Sequence, residues 1–203
     1  LRGFLRSLAT RKIDSFETRL PWLIVLATIP AALAGYFAED LFEELFGAPR
    51  IASTLLLVTS LVLIASERLG RKRKDLTQLS ARDAAWIGLA QAAAIAPGLS
   101  RSGATIAAGL WRDQRRPAAA RFSFLIALPV IAGAGALQLA KTVSSGLAGA
   151  QWTLLIAGFF SAFLSGYLAI RFLLRFLQNH GLRPFAYYCW AIGLLGIILS
   201  IAL

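Results

Sequence analysis

The chain has 203 residues, 58% of them hydrophobic, with 21 Lys and Arg against 10 Asp and Glu. A mean hydropathy of +0.68 stands far from the roughly half-apolar composition of soluble domains and identifies an integral membrane protein. The formal charge of +11 does not imply nucleic acid as a partner, because the basic residues stand between apolar segments instead of covering one solvated face. The single cysteine, Cys189, excludes an intrachain disulfide and reads as a small packing residue.

The residues from Leu1 to Leu20 do not form a signal peptide, since Arg11, Lys12, Asp14, Glu17 and Arg19 interrupt any apolar core. They read as an interfacial or cytoplasmic segment ahead of a single membrane domain that takes up the whole chain. With no Met at any position, the sequence reads as a fragment, a processed chain or one whose start is misassigned. About five stretches then approach the 20 helical residues that cross a ~30 Å hydrocarbon core: Pro21–Ala38, Ala48–Ser66, Ala118–Ala140, Trp152–Leu174 and Phe185–Leu203. Trp22, Trp152 and Phe185 open spans, as interfacial aromatic anchors do. Pro30 and Pro129 lie inside spans and predict kinks.

The stretch Ala84–Trp111 is different. Its first arm, Ala84–Ala96, would reach only about 20 Å and Ser102–Trp111 about 15 Å at 1.5 Å per residue. Pro97-Gly98 breaks the helix between them. A re-entrant helix–loop–helix is therefore expected in preference to one continuous span. Charge agrees: Arg68, Arg71, Lys72, Arg73, Lys74 and Arg82 precede the pair, and Arg112, Arg115 and Arg116 follow it. Both flanks then lie in the cytoplasm, while the acidic loop around Glu43 and Glu44 lies outside. The fold class expected is an all-α polytopic membrane protein with one re-entrant pair.

The tip of that pair, Pro97-Gly98-Leu99-Ser100-Arg101-Ser102-Gly103-Ala104-Thr105, carries the chemistry. An Arg at membrane depth costs about 3 kcal/mol on insertion scales and marks a functional site by default. A half-helix starting at Ser102 would aim free N–H groups and its positive dipole end at the midplane, where an anion can bind. Arg101 adds a bidentate fork matched to phosphate oxygens. Ser100, Ser102 and Thr105 can donate hydrogen bonds, or one of them can attack. The competing reading is a Ser/Gly helix-packing patch, which would not need the Arg.

These residues carry a resemblance. Gly88-Leu89-Ala90-Gln91, the run from Pro97 to Ile106, and Ala119-Ala120-Arg121-Phe122-Ser123-Phe124 with Pro129 resemble the second signature region of bacterial undecaprenyl-diphosphatases of the bacitracin-resistance type. Ala27-Thr28-Ile29-Pro30-Ala31 with Gly35 resembles the middle of that family, and the likeness runs through essentially the whole chain. It implies hydrolysis of undecaprenyl diphosphate to undecaprenyl phosphate and inorganic phosphate, which recycles the carrier lipid for cell-wall synthesis at the bacterial inner membrane. It also implies an inverted-repeat fold, a divalent cation (Mg²⁺ or Ca²⁺) and a possible homo-oligomer. By the same likeness Arg101 is the phosphate-binding Arg, with Ser100, Ser102 and Thr105 around it and Gly98, Gly103 and Gln91 contributing to substrate binding.

The sequence also departs from the family. The family's first signature, a Glu-rich segment and a Ser-Ser-Ser-Gly-His loop, is not found, so the chain resembles a member without its N-terminal quarter. All ten carboxylates are expected in loops or at segment ends, and His180 in a solvated basic loop. Metal ligands and a catalytic His are therefore not assigned within these residues. The rival functions are a non-enzymatic polyprenyl-phosphate translocase and a small-anion transporter, which would need the same anion clamp without an attacking group.

Overall fold

The computed structural model describes residues 15–144, 146 and 149–202. Among them eight α-helices follow one another: α1 (Phe16–Phe37), α2 (Glu39–Phe46), α3 (Pro49–Leu69), α4 (Ala81–Ala93), α5 (Arg101–Trp111), α6 (Arg116–Ser144), α7 (Gly149–Asn179) and α8 (Arg183–Ala202). A short 3₁₀ turn, Leu76–Gln78, precedes α4. Five helices are long and apolar enough to cross a membrane: α1, α3, α6, α8 and the stretch Trp152–Asn179 of α7. Each contains most of one expected span, and the protein is an all-α, multi-pass membrane protein.

Local chemistry fixes where the helices start. Ser15 caps α1, its hydroxyl accepting from the Thr18 N–H while Thr18 reaches back to the Ser15 N–H. The helix thus begins at Phe16, so the last residues of the expected interfacial segment Leu1–Leu20 are helical, and residues 1–14 lie outside the described residues. Ser80 and Asp83 form the same box at the head of α4. That box moves the first arm of the pair to Ala81–Ala93, three residues earlier than expected, and the chain leaves helical geometry well before Pro97.

The outer ends of α4 and α5 lie side by side. Asp83 near the start of α4 accepts a 2.6 Å hydrogen bond from Arg112 Nε at the end of α5, and Lys74 Nζ stands 3.3 Å from its other oxygen. Segment 71–74 is strapped to the α5–α6 turn: the N–H groups of Arg73 and Lys74 both donate to the Asp113 carbonyl at 2.8 Å, and the Arg115 N–H donates to the Lys74 carbonyl. The pair therefore enters and leaves at one end of the bundle, as the re-entrant reading requires. Glu67, at the end of α3, gathers the same end together by accepting from Arg116 Nε at 2.8 Å, Lys72 Nζ at 2.7 Å and the Leu182 N–H at 2.9 Å. At the opposite end Arg50 Nε, at the start of α3, donates to the Ser200 carbonyl of α8 at 3.0 Å.

The pair sits between two packed clusters. One joins Leu23 and Ala27 of α1, Ile87 of α4 and Phe122 and Ile126 of α6. The other joins Leu63 of α3, Ile106 and Leu110 of α5, Leu177 of α7 and Ala186 of α8. Ala108 of α5 belongs to the first cluster and Ile106 and Leu110 to the second, and α6 likewise gives Phe122 and Ile126 to the first and Ala119 and Ala120 to the second, so α5 and α6 together form the seam. Where α1 crosses α4, a Cβ on Gly88 would stand 2.5 Å from the Ala27 carbonyl oxygen, so only Gly permits this approach. Helix α3 inverts the soluble pattern: its buried residues are Ser53, Thr59, Ser60, Leu63 and Ser66. Four of its five hydroxyl residues are buried, Thr54 being the exposed one, while apolar side chains such as Val58 and Leu61 face outward.

Candidate functional site at the tip of the helical hairpin

The tip, residues 94–100, lies beside the middle of α3. Thr59 is ten residues into that helix, about 15 Å from its start at 1.5 Å per residue, roughly half the thickness of a hydrocarbon core. The Thr59 hydroxyl donates to the Gly98 carbonyl at 3.0 Å and accepts from the Ser100 N–H at 3.2 Å. Gly98 has a φ of +89°, and a Cβ there would overlap the carbonyl of Ala52 on α3. Only glycine meets both demands.

Helix α5 begins one residue earlier than expected, at Arg101, because Ser100 is its cap. The Ser100 hydroxyl accepts from the Gly103 N–H at 3.1 Å, and the Ser100 carbonyl takes the Ala104 N–H at 2.8 Å. The N–H groups of Arg101 and Ser102 find no acceptor among the described residues. They point out of the helix start with the positive end of its dipole behind them. Among the described residues the Arg101 guanidinium, half-buried, likewise has no hydrogen-bond or ion-pair partner. The buried carboxylates at the hairpin's open end, Asp83 and Glu67, are by contrast paired with Arg112, Lys74, Arg116 and Lys72. An unpaired cation and free helix-start N–H donors on the same two residues are groups suited to an anion.

Ser100, Ser102 and Gly103 line a partly open cavity of about 220 Å³ together with Leu63, Ile106, Leu173, Leu182, Phe185, Tyr188 and Cys189. Arg101, turned about 100° from its helical neighbours, is not in that wall. Cys189 packs into the cavity lining and is buried, as the packing role expects. Two other expected site residues face elsewhere. Thr105 is 1% exposed, and its hydroxyl donates to the Arg101 carbonyl at 2.8 Å and meets Ser123 Oγ of α6 at 2.6 Å. Gln91 of α4 is buried against α1, with Nε2 3.5 Å from the Ala27 carbonyl and Oε1 without a hydrogen-bond partner among the described residues. Thus Ser100, Arg101, Ser102, Gly103 and Gly98 form one structure, Thr105 braces its second turn, and Gln91 sits outside the cavity wall.

His180 is exposed and stacks on Phe176 with ring centroids 4.5 Å apart, beside Arg171 and Arg175. Among the described residues no three His, Cys, Asp or Glu side chains come together. The groups around the tip are hydroxyls, amides and a guanidinium, which suit an anion and do not fit the Mg²⁺ or Ca²⁺ that the resemblance implies.

The family whose description is bacitracin resistance protein BacA matches residues 1–195. The chain belongs to the BacA family. Among its relatives, a protein of Rubrobacter xylanophilus is 44% identical over 95% of this chain and 71% of its own length. One of Thermomicrobium roseum is 43% identical over 91% of this chain and 69% of its own. One of Methanothermobacter thermautotrophicus is 45% identical over 89% of this chain and 99% of its own length. All three carry the name undecaprenyl-diphosphatase. The BacA resemblance drawn from the Ser-Arg-Ser-Gly tip thus holds across nearly the whole chain.

Thr59 and Ser123 are not among the site residues expected from the sequence, although Ser123 stands in the stretch that carries the resemblance; their hydroxyls hold the tip loop and the second turn of α5. A signal for the first existed: Ser53 and Ser60, and Thr59 and Ser66, are each seven residues apart in an apolar span and fall on one helix face.

Proposed function

We propose that this BacA-family protein is an undecaprenyl-diphosphate phosphatase of the bacterial inner membrane. The observation that carries the reading is the half-buried, unpaired Arg101 at the first position of a half-helix, at mid-membrane depth beside a mostly apolar cavity. The names of its relatives point to the same substrate. They are names of a phosphatase and give no support to a translocase or a small-anion transporter.

In this reading Arg101 and the N–H groups of Arg101 and Ser102 bind the terminal phosphoryl group, and the Ser102 hydroxyl adds a donor. The water oxygen bonds to that phosphorus as the bridging P–O bond breaks, undecaprenyl phosphate leaves with the bond's electron pair, and the proton given up by the water passes to a phosphate oxygen. Phosphoryl transfer is governed by positioning and by stabilisation of charge on the equatorial oxygens. A fork of guanidinium N–H donors and a helix N-terminus in a water-poor setting supply both. Ser100 and Ser102 have no carboxylate or imidazole hydrogen-bonded to them among the described residues, so both bind and neither is activated as a nucleophile. Ser100, Gly98 and Gly103 shape the cradle, and Thr105 stiffens it from behind. The cation implied by the resemblance has no ligand set in this cradle.

The test is phosphate release from undecaprenyl diphosphate by the purified protein in detergent with Mg²⁺ or Ca²⁺, beside Arg101→Ala. Release that depends on Arg101 supports the reading. Release indifferent to Arg101, or none from the parent protein, removes it.

A further inference from the structure

We infer that Thr59 is a positioning residue of the phosphate cradle, holding the tip loop in its anion-binding form from the neighbouring helix. The inference rests on the functional reading above. Thr59 is 3% exposed and its one hydroxyl serves two backbone groups at once, donating to the Gly98 carbonyl and accepting from the Ser100 N–H. Neither group has another hydrogen bond among the described residues. At mid-membrane depth there is little water to replace a lost partner, so each group left open carries its full desolvation cost.

The two bonds bracket Leu99 and end at the cap residue of α5. They therefore set the direction in which α5 starts and where the free N–H groups of Arg101 and Ser102 point. The Thr59 hydroxyl proton is committed to the Gly98 carbonyl, so Thr59 acts through the loop. Without its hydroxyl the loop would spend part of its time open, and a ligand would first have to select the closed fraction. Apparent affinity falls by that fraction, whereas saturating substrate restores the closed loop and hence the turnover rate. A residue that stabilised only the transition state would instead lower kcat, and one that only supported folding would reduce the active fraction at unchanged KM.

The experiment compares Thr59→Val, which keeps the shape and removes the hydroxyl, with Thr59→Ser, which keeps the hydroxyl. Amide hydrogen exchange over residues 96–103 in detergent needs no activity. Thr59→Val is expected to speed exchange there about tenfold and to raise KM for undecaprenyl diphosphate about tenfold, with kcat within about threefold. Thr59→Ser is expected within about threefold of the parent in all three. Unchanged exchange in Thr59→Val, or a fall in kcat at unchanged KM, overturns the inference. Should Thr59→Val fail to accumulate, Thr59→Ala is measured and judged in the same way. If the parent releases no phosphate, the functional reading fails alone, and the exchange comparison still decides whether Thr59 holds the loop.

Discussion

Asp83 and Arg112, the one at the head of α4 and the other at the tail of α5, meet at 2.6 Å and clamp the open end of the hairpin shut. Asp83 is fully buried, whereas the Arg112 side chain is 40% exposed. Burial alone would push the Asp83 carboxyl upward. The hydrogen bonds from Arg112 and Ser80 outweigh it, with help from the charge of Lys74, and hold it below its ordinary value. A carboxylate lowered by folding stabilises the fold fully above its unfolded value. That contribution drains away as pH falls through the lowered folded value, in the acid range below about pH 4.

Asp83→Asn should remove this acid-side dependence. It should also cost about 1–2 kcal/mol at neutral pH, less than the ~3–5 kcal/mol of a fully buried pair, because Arg112 and Lys74 can both turn to water. Thermal unfolding in detergent between pH 3 and 7 measures both effects. Equal acid limbs in parent and variant would show that Asp83 titrates as a free carboxyl.

Placement of the hairpin ends also fixes a topology. In a Cys189→Ala background, single cysteines at Arg73 and Arg115 should react with an impermeant thiol reagent from the same face of the membrane. A cysteine at Glu44, beyond the far end of α1, should react from the other face. If positions 73 and 115 label from opposite sides, the pair crosses the membrane and the strap between Lys74 and the α5–α6 turn does not exist in the bilayer.

Much of this was legible in the sequence, and the reasons differ by element. The spans follow from composition, because the bilayer sets their length. The break at Pro97-Gly98 follows from proline's missing N–H and from glycine's access to positive φ. Arg101 was visible because a charge among apolar residues has few innocent explanations. What the sequence did not reveal depends on which helix faces which. Thr59 reads as one more tolerated hydroxyl in a span until the tip loop is laid against α3. Thr105 looked like a pocket donor by its nearness to Arg101, yet helical rotation turns it toward Ser123. Asp83 and Glu67 were placed correctly at segment ends, but their burial comes from helix ends converging on them, which no local pattern records.

Arg101→Lys tests the chemistry of the cradle. An ammonium keeps the charge but not the planar fork, and its three donors cannot span two phosphate oxygens in the same way. Phosphate release from undecaprenyl diphosphate should fall roughly 10- to 100-fold in kcat/KM, about 1.4–2.7 kcal/mol. Protein yield and unfolding temperature should stay near the parent's, since Arg101 has no partner to lose among the described residues. Near-parental release at matched protein would mean that Arg101 acts as a bare positive charge or not at all.

Gly98→Ala tests the loop itself. The backbone there is left-handed, at φ +89°, which costs a residue with a Cβ about 1–2 kcal/mol. The added methyl would also run into the Ala52 carbonyl of α3, so either α3 or the loop must move. Moving the loop pulls the Gly98 carbonyl and the Ser100 N–H away from Thr59, and with them the start of α5. The expected result is a loss of at least about 2 kcal/mol of stability together with a tenfold or larger loss of Arg101-dependent phosphate release. Gly133→Ala is the control, because a Cβ at that position of α6 meets nothing within 4 Å and alanine suits a helix better than glycine. Equal behaviour of the two alanine variants, in unfolding temperature and in phosphate release, would mean that the tight seat of the tip against α3 does not form in the membrane.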